Sequence, residues 1–174
     1  MIKKYKFILL SIIGTLFCQN SFANPIFDIY IGGIYGIGGS TTLESHHTET
    51  YAPTMSFGGV AGIDIAFLRI EAEYNHLAKK IKTDQAMLNA YIKPNFTIIK
   101  PYIGVGIGKI FDGDINMQKT NRTTGYQGML GLTFDTIILP IKIDVELHGL
   151  YTPNIYNSMD FFNYDTRIKA RYIF

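Results

Sequence analysis

The sequence predicts an all-β chain: an eight-stranded antiparallel up-and-down barrel that crosses a membrane with strands. Three observations carry this. Apolar and polar residues alternate with a period of two through most of residues 27–174. The connections between alternating segments are by turns long and short. The parity that carries charge also carries glycine.

The N-terminus reads differently. Lys3, Lys4 and Lys6 precede an apolar run from Phe7 to Phe17, and Ser21-Phe22-Ala23 ends in small residues. That is the layout of a secretory signal, with cleavage expected after Ala23. An uncleaved anchor is disfavoured because the run is short and Gln19-Asn20-Ser21 ends it. Lipidation at Cys18 is disfavoured because bulky Phe17 precedes it. The expected organisation is a signal peptide over residues 1–23 and one barrel domain over 24–174. Cleavage would remove the one cysteine and three of 16 Lys+Arg, leaving 13 basic against 14 acidic residues. Thiol chemistry, disulfides and a basic field for nucleic acid are thereby excluded from the mature chain.

The strands follow in order. Residues 27–38 alternate with glycine on one parity. Residues 56–65 place Phe57, Gly59, Ala61, Ile63 and Ile65 opposite Ser56, Gly58, Val60, Gly62 and Asp64. Residues 69–75 set Ile70, Ala72 and Tyr74 against Arg69, Glu71, Glu73 and Asn75. Residues 85–93 repeat this weakly. Residues 101–108, P-Y-I-G-V-G-I-G, alternate Ile103, Val105 and Ile107 with glycine, and 126–134 read the same way. Residues 140–151 give the cleanest case: Ile141, Ile143, Val145 and Leu147 on one face, Lys142, Asp144, Glu146 and His148 on the other. Residues 166–174 close the series with Ile168, Ala170, Tyr172 and Phe174 against Arg167, Lys169 and Arg171. Each strand is expected at roughly 9 to 11 residues, enough for a tilted transmembrane strand. The long connections are expected at 40–53, 77–84, 112–123 and 152–163, and the short ones at 66–68, 95–100 and 135–139.

Alternation alone does not separate a membrane barrel from a lipocalin-like or sandwich fold with the apolar parity inside. Glycines beside the charges favour a narrow lumen, since on a wetted surface they would only weaken strands. The charged parity is also balanced. Asp28, Asp64, Glu71, Glu73, Asp144 and Glu146 face Arg69, Lys93, Lys142, Arg167, Lys169 and Arg171, as an enclosed lumen requires. His148, beside Glu146, joins this network. Phe27, Tyr35, Phe57, Tyr74, Tyr126, Phe134, Tyr151 and Tyr172 lie on the other parity near strand ends, where interfacial rings belong.

The closing Arg171-Tyr172-Ile173-Phe174 resembles the C-terminal assembly signal of bacterial outer-membrane proteins, with Tyr172 and Phe174 as its aromatic positions. The P-Y-I-G-V-G-I-G stretch is similar to one recurring in small barrels of the OmpA transmembrane-domain and opacity-protein superfamily. The resemblance implies the Gram-negative outer membrane, with lipid, lipopolysaccharide and the barrel-assembly machinery as partners. It implies a non-enzymatic surface antigen or adhesin whose loops meet host-cell surface molecules, or alternatively a structural or small-pore protein with a salt-bridged lumen. Candidate loop contacts are His46, His47, Lys79, Lys80, Tyr156, Phe161 and Phe162. Some eight-stranded barrels modify lipid A, which would call on His148 or Ser158, but no nucleophile–base–acid set is legible. No H-E-x-x-H, P-loop or G-x-S-x-G motif occurs. No catalytic, cofactor or metal residue is therefore assigned.

Overall fold

The fold is described from a computed structural model, over residues 27–43, 52–79, 81–94, 99–115, 118–119, 122–136, 139–156 and 159–174. The expected signal segment lies outside these residues. The strands are β1 (Phe27–Leu43), β2 (Ala52–Ile65), β3 (Leu68–Lys79), β4 (Ile81–Ile92), β5 (Ile99–Ile115), β6 (Gln118–Lys119), β7 (Thr123–Asp135), β8 (Ile141–Tyr156) and β9 (Met159–Ile173). Eight of them form an antiparallel wall in the order β4-β3-β2-β1-β9-β8-β7-β5, and a β4–β5 pairing closes it into a barrel. The two-residue β6 only extends the β5 hairpin.

Cross-strand partners define how the barrel is sheared. From Tyr30 the path runs through Gly62, Glu71, Asn89, Gly106, Gln127, Leu150 and Asn163, and returns to β1 at Ser40. Ten residues of stagger over eight strands set a tilt of about 40° and a lumen just wide enough for side chains. The base of the barrel is the end holding Phe27 and Phe174; the rim is the opposite end.

The wall strands are 12 to 17 residues long, longer than the sequence pattern suggested. The expected long connection at 77–84 is strand: Leu77 pairs with Thr83 and His76 with Asp84. Likewise Thr152 pairs with Phe161 and Tyr156 with Met159 in the expected loop at 152–163. Past the mid-wall the parity keeps alternating while its chemistry inverts in part, with Asn75, Gln85, Thr152 and Asn163 still polar and inward. Inward positions become Leu77, Met87, Ile110, Leu150 and Phe161, and outward ones become Lys82, Lys109 and Asn154. A hairpin emerging from a membrane into water needs this reversal, and it disguises the strand as a loop.

Twenty-eight large hydrophobic side chains are exposed among the described residues, Val105 at 66% and Leu147 at 59% among them. No water-soluble surface tolerates such a contiguous apolar area, so the wall faces hydrocarbon. Aromatic rings bound it at two heights: Phe27 and Tyr35 on β1, Phe134 and Tyr126 on β7, and Tyr172 and Tyr164 on β9 are each eight residues apart. Eight residues of tilted strand rise about 20 Å, close to the roughly 25 Å apolar band of an outer-membrane barrel.

Candidate functional site

Inward positions build the lumen, and their chemistry changes with height. At the base, Lys142 Nζ lies 3.2 Å from Asp28 and 3.6 Å from Asp64, and Lys93 Nζ lies 3.3 Å from Asp64. Lys100 and Asp135 form a further pair at this mouth. Just above, the Arg171 guanidinium grips Asp144 through Nε at 2.7 Å and Nη2 at 2.8 Å. Arg69 Nη1 donates to the same carboxylate at 3.0 Å, and Thr133 Oγ1 donates at 2.6 Å. Arg69 is itself held between two rings, 4.2 Å from the Tyr91 centroid and 4.4 Å from that of Tyr102. This placement orients the fork and returns cation–π energy for the lost hydration.

The mid-lumen is organised by Lys169. Its Nζ lies 3.0 Å from Glu71 and 3.1 Å from Glu146. Tyr30 and Tyr91 each donate to Glu71 at 2.7 Å, and Tyr102 donates to Glu146 at 3.0 Å. The glycines on the inward parity make room for these rings: a Cβ on Gly104 would lie 2.3 Å from the Tyr91 ring, and one on Gly131 2.4 Å from Tyr102. Above them Arg167 reaches Glu73 at 2.8 Å and Asp165 at 3.0 Å. Asp165 also meets His148 Nδ1 at 2.7 Å and accepts from Ser56 at 2.7 Å. His148 Nε2 lies 3.0 Å from Gln127 Oε1, so both ring nitrogens are engaged.

All thirteen residues expected to form the lumen network therefore point inward, and Arg69, Glu71, Asp144, Glu146, Arg167 and Lys169 are fully buried. Isolated charges would be intolerable in this setting, and the network supplies each with a partner. Sequence reasoning missed Asp165, a seventh acid that raises the acids above the six Lys/Arg partners and is met by His148. It also missed Tyr30, Tyr91 and Tyr102, which read as apolar, and the amides Asn89 and Gln127. Gln127 donates to Asn89 at 2.6 Å, and Asn89 to Glu73 at 2.9 Å. Continuing strand parity past Thr166 was the signal available for Asp165.

The rim closes the lumen with apolar side chains. Leu77, Met87, Ile110, Leu150, Ile155 and Phe161 form one buried cluster. Ile155 reaches it because β8 bulges: residues 153–155 face the single Asp160 between two regular pairs. Asn154 takes φ 51° there and donates its N–H to Asp160 at 3.1 Å, while the Tyr151 hydroxyl donates at 2.7 Å. These donors hold the Asp160 carboxyl below the usual carboxylate range. The bulge re-aims Ile155 from the wall into the lumen.

The candidate loop contacts divide. Phe162 is exposed, paired with Tyr164 at a ring separation of 6.2 Å. Phe161 is not at an exposed tip: regular pairing with Thr152 turns it inward, fully buried in the rim cluster. Lys79 and Tyr156 lie on β3 and β8 rather than in long loops. His46, His47 and Lys80 lie outside the described residues. At the C-terminus the Tyr172 and Phe174 rings stand edge to face at 5.3 Å, and Phe174 N–H donates to Ile29 O at 2.9 Å.

No protein-family model and no curated protein sequence matches the chain. Solved structures do share its fold. Neisserial surface protein A (NspA) aligns with a TM-score of 0.64 at 14% identity, covering 81% of this chain and 95% of that one. The N-terminal β-barrel domain of Pseudomonas aeruginosa OprF aligns with a TM-score of 0.52 at 12% identity, covering 81% and 97%. A de novo designed transmembrane β-barrel aligns with a TM-score of 0.52 at 11% identity, covering 88% and 100%. At these identities the likeness is one of fold: the small eight-stranded outer-membrane β-barrel. A likeness of fold does not by itself assign an activity.

Proposed function

We propose that the chain is a non-enzymatic outer-membrane surface protein, a filled barrel that holds its rim hairpins above the membrane for antigen- or adhesin-type contact with host-cell surface molecules. The observation that carries this is the reach of the hairpins beyond the upper aromatic belt. β1 continues eight residues past Tyr35 to Leu43, and β8 five past Tyr151 to Tyr156. Beneath them the lumen is packed with paired side chains, so the rim is the surface left to meet a partner. NspA, the structure of similar fold with the higher TM-score, is by name a surface protein, which agrees with this reading.

The same reading makes residues 1–23 a cleaved export signal, Tyr172 and Phe174 the signal for the assembly machinery, and lipopolysaccharide the lipid around the upper belt. Enzymatic use of His148 is disfavoured because Asp165 and Gln127 occupy both its nitrogens. A structural or small-pore role is the second reading, favoured by the rigid network itself.

The test is binding. The full barrel in nanodiscs is titrated onto host cells and matrix proteins, beside a variant whose β1–β2 and β8–β9 hairpins are cut to tight turns. Saturable binding lost in the variant supports the surface role. Failure of the intact barrel to bind any of these surfaces overturns it and leaves the structural reading.

A further inference from the structure

Charge in the lumen does not close on its lysines and arginines. From the Lys169 layer upward, Glu71, Glu73, Glu146 and Asp165 are all buried. Among the described residues, the Lys/Arg side chains that pair with these four carboxylates are Arg167 and Lys169. The remaining nitrogen base at that height is His148, itself 4% exposed.

Hydrogen-bond polarity fixes how many protons its ring carries. Glu73, ion-paired with Arg167 at 2.8 Å, is an acceptor only. Asn89 therefore turns its Nδ2 to Glu73, at 2.9 Å, and its Oδ1 is left to accept from Gln127 Nε2 at 2.6 Å. Gln127 Nε2 also faces Glu73, at 3.4 Å. What remains for His148 is the Gln127 oxygen, 3.0 Å from Nε2, so Nε2 must donate. On the other side, Asp165 accepts from Arg167 and Ser56 as a carboxylate, so Nδ1, at 2.7 Å, must donate too. A neutral imidazole carries one N–H, and the imidazolium carries two.

A neutral ring bare at Nε2 would require both amides to turn over. Asn89 Oδ1 would then face the Glu73 carboxylate, two buried acceptors with no proton between them. Burial and Arg167, which shares Asp165 with the ring, oppose the positive charge. Against them stand Asp165 on β9, Glu73 on β3 and Glu146, the next inward residue of β8. From β7, β4 and β2 the side chains Gln127, Asn89 and Ser56 bring no charge.

We propose that His148 is a buried imidazolium, a further cation beside the six Lys/Arg of the network. Its second proton locks a relay from Asp165 on β9 through His148, Gln127 on β7 and Asn89 on β4 to Glu73 on β3. The ring thereby ties β8 to the strands on either side and to the far wall. Without that proton the relay has no consistent direction, and the layer of paired side chains loosens.

The test is NMR at neutral pH on the full chain in nanodiscs, with histidine ring nitrogens 15N-labelled and His148 assigned through the β8 backbone. Protons on both ring nitrogens support the proposal. One bare nitrogen overturns it, and a protonated Glu146 carboxyl in the same sample would mark where the proton sits instead. Glu73→Gln frees the relay to reverse, because an amide donates as well as accepts. That variant is expected to leave one His148 nitrogen bare in most molecules. Should it not fold, Gln127→Leu removes the acceptor at Nε2, with the same expectation. A ring still doubly protonated in a folded variant overturns the relay as the reason for the charge.

Discussion

Arg171 on β9 and Asp144 on the neighbouring β8 form a diagonal, two-bonded pair at the lumen base, Nε at 2.7 Å and Nη2 at 2.8 Å, with both side chains essentially inaccessible to solvent. Because the carboxylate also takes Arg69 and Thr133, removing it strands the Arg69 guanidinium and leaves Arg171 only Asp64 as an ion-pair partner, at 3.3 Å. Asp144→Ala is expected to cost about 3–5 kcal/mol. Replacing Asp144 and Arg171 together by apolar residues should cost less than the sum of the single changes. Urea unfolding in lipid, read as a double-mutant cycle, decides; additive costs would mean the pair is not coupled.

Outward and inward positions of β8 should respond differently. Val145→Arg places a charge near the middle of the hydrocarbon and is expected to cost about 2–4 kcal/mol. Lys142, at the partly wetted base between Asp28 and Asp64, should cost no more than about 1 kcal/mol when changed to Ala. Equal effects in the same unfolding assay would reverse the assigned facing.

Glycine tolerance tests the packing of the tyrosines. Gly104→Ala drives a methyl into the Tyr91 ring at 2.3 Å, displacing the ring that flanks Arg69, and overpacking of this kind costs about 1–3 kcal/mol. Gly128 points outward, and a methyl there would meet nothing within 4 Å. It should accept alanine within about 0.5 kcal/mol. Thermal melts of the two variants in the same lipid supply the comparison.

The two-residue turn between β2 and β3 places Ala66 at φ 41°, a left-handed conformation that a Cβ opposes. Ala66→Gly should therefore stabilise the barrel by up to about 1 kcal/mol, the relief of strain exceeding the added freedom of the unfolded chain. A lower midpoint in urea would contradict this.

The Asp160 clamp predicts a pH response at the rim. The carboxyl is held below its ordinary value by Tyr151 and Asn154. Its contribution is thus present above the unfolded carboxylate value of about 3.9 and is lost as pH falls through the folded one. Asp160→Asn should imitate the acid state at neutral pH, raising deuterium exchange at the Asn154 amide. An identical exchange rate in the variant would show that the clamp does not hold the bulge.

Most of the wall was legible because alternation is enforced wherever one face meets hydrocarbon. Parity separated Val145, Leu147, Ile103 and Tyr172 from Glu146 and Lys169, and the glycines, balanced charges and aromatic positions beside them set the first group outward and the second inward. The strand ends were not legible. Above the aromatic belt the inside becomes apolar, at Leu77 and Phe161, and the outside polar, at Lys82 and Asn154, so a rule written for one solvent fails in the other. Inward tyrosines were missed for a related reason: Tyr91 and Tyr102 belong to the girdle by composition and to the lumen by position. The aim of Ile155 depends on a bulge, which shifts parity without leaving a period in the sequence.

Single-channel recording tests the central claim, that paired side chains fill the lumen and leave the rim as the working surface. The full chain, reconstituted in a planar bilayer at neutral pH, is predicted to give no stepwise conductance, and Glu73→Ala with Arg167→Ala to introduce one by deleting a paired layer. Steady openings of the unaltered barrel that salt and voltage drive like a simple aqueous pore would contradict the account.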